Sequence, residues 1–123
     1  MIIGIGIDAV KISRMEKWVS CPSLLERFFN SRELETVRER GKGMTSSLAA
    51  RFAAKEAFGK ALGKGLEGIA LKDIMVLNYR DTRPCFCLEG SAAAAMKAAG
   101  AKQAHLSISH DGDIALASVI LEA

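Results

Sequence analysis

The chain has 123 residues, half of them hydrophobic, and a formal net charge of +3. That length suits a single domain, residues 1–123, and leaves apolar surface that self-association would cover. The charge is too mild to mark a nucleic-acid binder, no apolar run is long enough to cross a membrane, and Met1 to Asp8 lacks the basic lead and cleavage site of a signal peptide.

Residues 2–7 alternate as a strand. Ile3, Ile5 and Ile7 point one way; Gly4, Gly6 and Asp8 point the other. Two glycines on one face predict that something packs very close to that backbone, with Asp8 ending the strand there. Residues 11–19 read as a short helix carrying Lys11, Arg14, Met15 and Trp18. Pro22 starts a second short segment to Phe29. Ser31 is expected to cap a helix from Arg32 to Arg40, before Gly41 and Gly43 break the chain.

Thr45 or Ser46 is expected to cap the longest helix, which runs to Leu62 and ends in the glycine-rich loop Gly63-Lys64-Gly65. Asp73 to Tyr79 reads as a strand, residues 80–83 as a turn, and Cys85 to Leu88 as a strand opened by Pro84. Ser91 caps an alanine-rich helix that Gly100 closes. His105 to His110 and Ile114 to Leu121 form a hairpin across Asp111-Gly112-Asp113. The order predicts an α+β fold, helices packed on an antiparallel sheet around one long central helix.

The three cysteines, Cys21, Cys85 and Cys87, are odd in number and irregular in spacing. They read as reduced structural thiols without a zinc site, which implies a cytoplasmic setting. Basic residues gather as Lys11, Arg14 and Lys17, as Arg38, Arg40 and Lys42, and as Arg51, Lys55, Lys60 and Lys64. A partner bearing phosphates or an acidic surface would suit them. Solvated helix faces would explain them as well.

Glu56 is the most unusual residue of the long helix. At roughly 100° per residue, Ala49, Phe52, Ala53, Gly59 and Lys60 lie within roughly 60° of it. A glutamate on that small apolar stripe needs a partner. A plain ion pair with Lys60, one turn on, is one reading. Asp8 is a second acid in an apolar setting, readable also as a helix cap before Lys11. If Asp8 and Glu56 converge, a divalent cation relieves their repulsion, and few oxygen ligands suit magnesium. His110 ends a strand on the face of Leu106 and Ile108, as a structural group or a ligand-facing one. Gly63 and Gly65 form a helix C-cap, or let a substrate approach bare backbone.

Gly4-Ile5-Gly6-Ile7-Asp8, the run from Arg51 to Gly63 (RFAAKEAFGKALG), and Ser107-Ile108-Ser109-His110 with Ala115 to Val119 match one family in order and spacing. Over nearly the whole chain the sequence resembles the phosphopantetheinyl transferases, in their short holo-[acyl-carrier-protein] synthase branch. The resemblance implies transfer of the 4′-phosphopantetheine arm of coenzyme A to a serine of apo acyl carrier protein, a step that serves fatty acid biosynthesis. It implies Asp8 and Glu56 as Mg2+ ligands and Lys60 as the lysine on the reacting phosphates, with Glu56 or a metal-bound water taking the serine proton. It implies Lys42, Arg51, Gly63, Gly65, Arg83, Pro84, Ser109 and His110 around coenzyme A, and Lys11, Arg14, Lys17 and Trp18 as the carrier-protein docking group. It also implies a homotrimer with active sites between subunits. One feature of the residues agrees: Arg51 leaves the long helix roughly 140° from Glu56, too far for one small pocket on one chain. Two rival readings remain on residues alone, a small basic trimer that binds RNA or acidic proteins and a magnesium nucleotide hydrolase.

Overall fold

The computed structural model describes residues 1–80 and 83–123. Asp81 and Thr82, within the expected turn 80–83, lie outside the described residues. Strand β1 (Ile2–Lys11) leads through a 3-10 turn (Ile12–Met15) into three short helices, α1 (Glu16–Val19), α2 (Pro22–Phe28) and α3 (Ser31–Arg38). A second 3-10 turn (Gly41–Gly43) opens the long helix α4 (Met44–Ala61). Strands β2 (Ile74–Tyr79) and β3 (Arg83–Leu88), helix α5 (Gly90–Ala98), and strands β4 (Gln103–Asp111) and β5 (Ile114–Glu122) complete the chain. The first, last and fourth strands form an antiparallel sheet in the order β1-β5-β4, and β2 pairs with β3. This is the expected α+β class.

Helix α4 is the centre of the molecule. Thirteen of its residues are buried, which leaves it almost no solvent face, so it must be packed all round. Its alanines let β1 approach, and Gly59 lets the Gly65 backbone approach from the loop that follows. A Cβ on Gly4 would overlap the carbonyl oxygen of Ala61, and one on Gly6 would overlap that of Ala57. The glycine face of β1 is therefore the face that α4 covers, and Asp8, next on that face, is directed at the same helix.

Several expected boundaries shift, each for a physical reason. β1 continues past Asp8 to Lys11, because β5 is long enough to pair with it as far as Ile114. The segment after β1 is a 3-10 turn rather than a helix from residue 11. Its cap is Asp113, from the β4–β5 turn, which accepts from the Ser13 amide at 2.9 Å and the Ser13 hydroxyl at 2.6 Å. Asp8 is thus free of any capping role there. The cap of α3 is Asn30 rather than Ser31. Asn30 Oδ1 accepts from the Arg32 amide at 3.1 Å, and Glu33 Oε1 accepts from the Asn30 amide at 3.0 Å. A glutamate three residues after the cap selects Asn30.

Helix α4 begins at Met44 without a side-chain cap, because the preceding 3-10 turn already sets its direction. Ser91 does not cap α5 either. Asp73 does so from outside, accepting from the Ser91 amide at 2.8 Å and its hydroxyl at 2.6 Å. These bonds hold the Asp73 carboxyl below its usual pKa.

Candidate active site

The inner face of the three-stranded sheet carries Asp8, Ala117 and Ile108 in register, with Val10, Ala115 and His110 in the row beside them. Asp8 lies on β1 and His110 on β4, strands two spacings or roughly 10 Å apart, with His110 one row further along. Helix α4 crosses the inner face of β1 and β5. The sequence-predicted residues therefore divide into two groups, one at each side of the helix.

The first group gathers at the β1 side. Lys60 donates to Asp8 Oδ1 at 2.9 Å and to the Ile7 carbonyl at 3.2 Å. The Glu56–Lys60 ion pair that the helix spacing offers does not form; Lys60 turns to Asp8 instead. That hydrogen bond raises the pKa of Lys60. Glu56, the one half-buried residue in the buried run from Ser47 to Gly59, has its carboxyl pushed above the usual range. Burial is the main cause and the negative charge of Asp8 the second, while Lys60 and Arg14 oppose them. The two acids thus feel each other across the β1–α4 contact. Among the described residues no third Cys, His, Asp or Glu joins them to make a metal cluster of side chains alone. Any ion held there would take its other ligands from water or substrate. Gly63 and Gly65 follow on the turn beyond, both with positive φ and with open space where a Cβ would stand. Gly65 folds back so that its amide bonds the Gly59 carbonyl at 3.0 Å.

The second group lines a cleft of about 570 Å3 bounded by Arg40, Ser46, Arg51, Asn78, Pro84 and His110, among others. Arg51 is almost fully buried. Its Nε donates to the Val76 carbonyl at 3.1 Å, Nη2 to Asn78 Oδ1 at 3.2 Å, and Nη1 to the Ser47 hydroxyl. Asn78 Oδ1 also accepts from Arg40 Nη2 at 3.3 Å. One neutral amide so gathers two guanidinium groups, and no described carboxylate forms an ion pair with either. Burial lowers the pKa of Arg51, but a guanidinium stays charged, so the cleft presents unneutralised positive charge. An anion with several oxygens is the ligand that suits it. Lys42 is exposed beside Arg40 and Gly43 at the rim, and Arg83 is exposed next to Pro84. Ser109 is exposed on the opposite sheet face from His110 and does not line this cleft.

Lys11 at the end of β1, Arg14 in the turn after it and Lys17 in α1 are exposed. Trp18, half-buried, is held by other rings. Its ring packs on Phe28 at 5.4 Å, Phe52 at 5.3 Å and Phe29 at 6.2 Å between centroids. Arg14 lies 5.6 Å from the Phe52 ring, which puts its charge close to Glu56.

Sequence reasoning missed Asn78 and the partner of Lys55. Lys55, grouped there with basic residues facing a partner, is fully buried and pairs with buried Glu33 at 2.8 Å. No local signal separates Lys55 from the other basic residues of the helix, because its partner lies 22 residues away.

Three comparisons bear on this arrangement. Residues 4–117 match the family described as the 4′-phosphopantetheinyl transferase superfamily. The holo-[acyl-carrier-protein] synthase of Treponema denticola is 55% identical over 122 residues, covering 99% of both chains. The crystal structure of the synthase from Neisseria meningitidis superposes with a TM-score of 0.90 at 32% identity over the whole of both chains. That from Bacillus anthracis, in complex with CoA (3′,5′-ADP), superposes with a TM-score of 0.82 at 34% identity, covering 100% of this chain and 98% of its own. With its order of elements, its glycine-faced first strand and its central helix all accounted for, the chain belongs to the 4′-phosphopantetheinyl transferase superfamily.

Proposed function

We propose that the Asp8–Glu56–Lys60 group is the reacting end, and the Arg51–His110 cleft the nucleotide end, of a site for coenzyme A. The reaction is that of holo-[acyl-carrier-protein] synthases: the 4′-phosphopantetheine arm passes to a serine of apo acyl carrier protein, leaving adenosine 3′,5′-bisphosphate. Holo carrier protein then serves fatty acid biosynthesis. The observation that carries the site assignment is the approach of two carboxylates and one ammonium where β1 meets α4.

Asp8 and Glu56 suit Mg2+. Their mutual repulsion calls for a cation, both are hard oxygen donors, and the shortage of further side-chain ligands leaves places for water and phosphate oxygens. When bound, the ion neutralises charge on the phosphate oxygens. The chain's own residues supply the rest. The carrier serine oxygen bonds to the β-phosphorus as the bond from that phosphorus to the bridging oxygen breaks. Lys60 Nζ donates to the phosphate oxygens on which charge accumulates, where electrostatic stabilisation acts most strongly. A carboxylate oxygen of Glu56 accepts the serine proton. Arg51, Arg40, Lys42 and His110 hold the phosphates of the nucleotide end. Arg83 and Pro84 border its base, and Gly63 and Gly65 leave room for the pantetheine arm.

The two groups lie on opposite sides of α4, so one chain holds two half-sites. A cyclic homotrimer would join the first half of one copy to the second half of the next. Its surface is available: Ile3, Ile5 and Ile7 are 37%, 64% and 61% exposed on the outer face of the sheet. An apolar row of that kind marks an interaction site. Lys11, Arg14 and Lys17 beside Glu56 offer an acidic carrier protein its landing surface. Nucleic acid and membrane are not partners in this reading. Phe28, Phe29 and Phe52 pack around Trp18 and Phe58 packs on Phe86, which leaves Tyr79 as the exposed ring where a single-strand binder needs several. No described helix is long and apolar enough to cross a bilayer. The free thiols fit the cytoplasm.

Incubation with coenzyme A, Mg2+ and an apo carrier protein tests the reading. A mass gain of one phosphopantetheine arm on the carrier is expected. An unmodified carrier with hydrolysed coenzyme A would favour a nucleotide hydrolase instead.

A further inference from the structure

The buried pair Glu33–Lys55 lies outside both half-sites, yet it is wired to one of them. Among the described residues, the edge of β2 that faces away from β3 has no partner strand, and its polar groups still require partners. Side chains from two helices supply them. Lys55 Nζ donates to the Ile74 carbonyl at 2.6 Å, to the Leu71 carbonyl at 2.8 Å and to Glu33 Oε1 at 2.8 Å, which uses all three of its protons. Glu33 Oε2 accepts from the Val76 amide at 3.0 Å, and its Oε1 accepts from the Asn30 amide at 3.0 Å. The carbonyl of that same Val76 accepts from Arg51 Nε at 3.1 Å. One residue of β2 thus stands between the Glu33 carboxylate and the Arg51 guanidinium.

A buried ion pair is weak evidence for stability, because desolvation offsets most of its attraction. Apolar residues of similar size would fill the space between α3 and α4. They would not bind the β2 backbone at a fixed depth. We infer that Glu33 is a positioning residue for the nucleotide half-site: its carboxylate, held by Lys55, fixes Val76 and through it the orientation of Arg51 in the cleft. The inference rests on the reading of that cleft as the phosphate-binding end of the site.

The test is a double-mutant cycle on the intact protein, with binding of adenosine 3′,5′-bisphosphate read by calorimetry. Glu33→Asp keeps the charge for Lys55 but shortens the reach to Val76. It is expected to weaken binding about tenfold, the scale of one hydrogen bond to a charged group. KM for coenzyme A should rise while kcat is largely kept. Arg51→Ala should weaken binding further, and Glu33→Asp added to Arg51→Ala should then cost nothing more. If Glu33→Asp does not fold, Glu33→Gln combined with Lys55→Met, which removes the pair without leaving a buried charge, replaces it in the cycle. Wild-type affinity in the Glu33 variant, beside a loss in Arg51→Ala, overturns the positioning role and leaves the cleft reading intact. An equal loss from the Glu33 change with and without Arg51 also overturns it. Wild-type affinity in Arg51→Ala overturns the cleft reading, and the positioning role with it.

Discussion

Lys60 Nζ stands 2.9 Å from Asp8 Oδ1, a contact made across 52 residues of sequence and displacing the local pairing with Glu56 that the helix spacing offers. The ammonium spans from α4 to β1 and leaves Glu56 without a direct cation. Its carboxyl is accordingly pushed upward by burial and by Asp8. A second positive charge is what this arrangement lacks.

Asp8→Asn and Glu56→Gln should each cut turnover by roughly 100-fold or more, the scale of losing one element of charge stabilisation at a phosphoryl group. Thermal melts should show that both variants fold. The wild type should stop in excess chelator and restart with Mg2+. Full activity of both variants in chelator would remove the site.

Lys60→Ala should lower kcat more than it raises KM for coenzyme A, because the charge it meets develops during transfer. Steady-state kinetics with carrier protein in excess separate the two. A change in KM alone would make Lys60 a ground-state binding residue.

Gly6→Ala should destabilise the fold by about 3 kcal/mol or more, because the new methyl meets the Ala57 carbonyl and neither backbone can move freely. Denaturant unfolding measures this. Gly112→Ala is the control: it adds a methyl in open space at a positive φ, so it should cost only about 1 kcal/mol of backbone strain.

Lys17→Glu should weaken binding of an acidic carrier protein and leave adenosine 3′,5′-bisphosphate binding unchanged. Lys17 is a cleaner probe than Arg14, whose guanidinium also lies over Phe52 and whose charge acts on Glu56. Rising salt should weaken carrier binding to the wild type by screening. Equal carrier affinity of Lys17→Glu and wild type at low salt would move the docking surface elsewhere.

The two glycines of β1 were legible because strand parity alone puts them on one face with Asp8, and only a close neighbour explains a face without side chains. Glu56 was legible from its apolar stripe. Features that depend on distant partners were not. Asp113 caps the turn at Ser13 from 100 residues away, and Asp73 caps α5 from outside the helix. Lys55 finds Glu33 across 22 residues, where local spacing shows only a lysine among other basic residues. The packing of Trp18 was not legible either, because its short segment has no complete helical face to show which side is buried. Its aromatic neighbours come from α2, α4 and Phe29, which no local pattern joins.

The central claim is that Arg51 of one copy and Glu56 of another serve one active site. Complementation tests it most directly. Arg51→Ala and Glu56→Gln chains are each prepared alone, then unfolded and refolded together, and transfer of phosphopantetheine to the carrier is followed by mass. Each variant alone should be nearly inactive, and the mixed assemblies should regain part of the wild-type rate, because some interfaces join an intact Arg51 to an intact Glu56. Mixed trimers, verified by mass, that stay as inactive as their parents would contradict the shared site and assign both residues to a single chain.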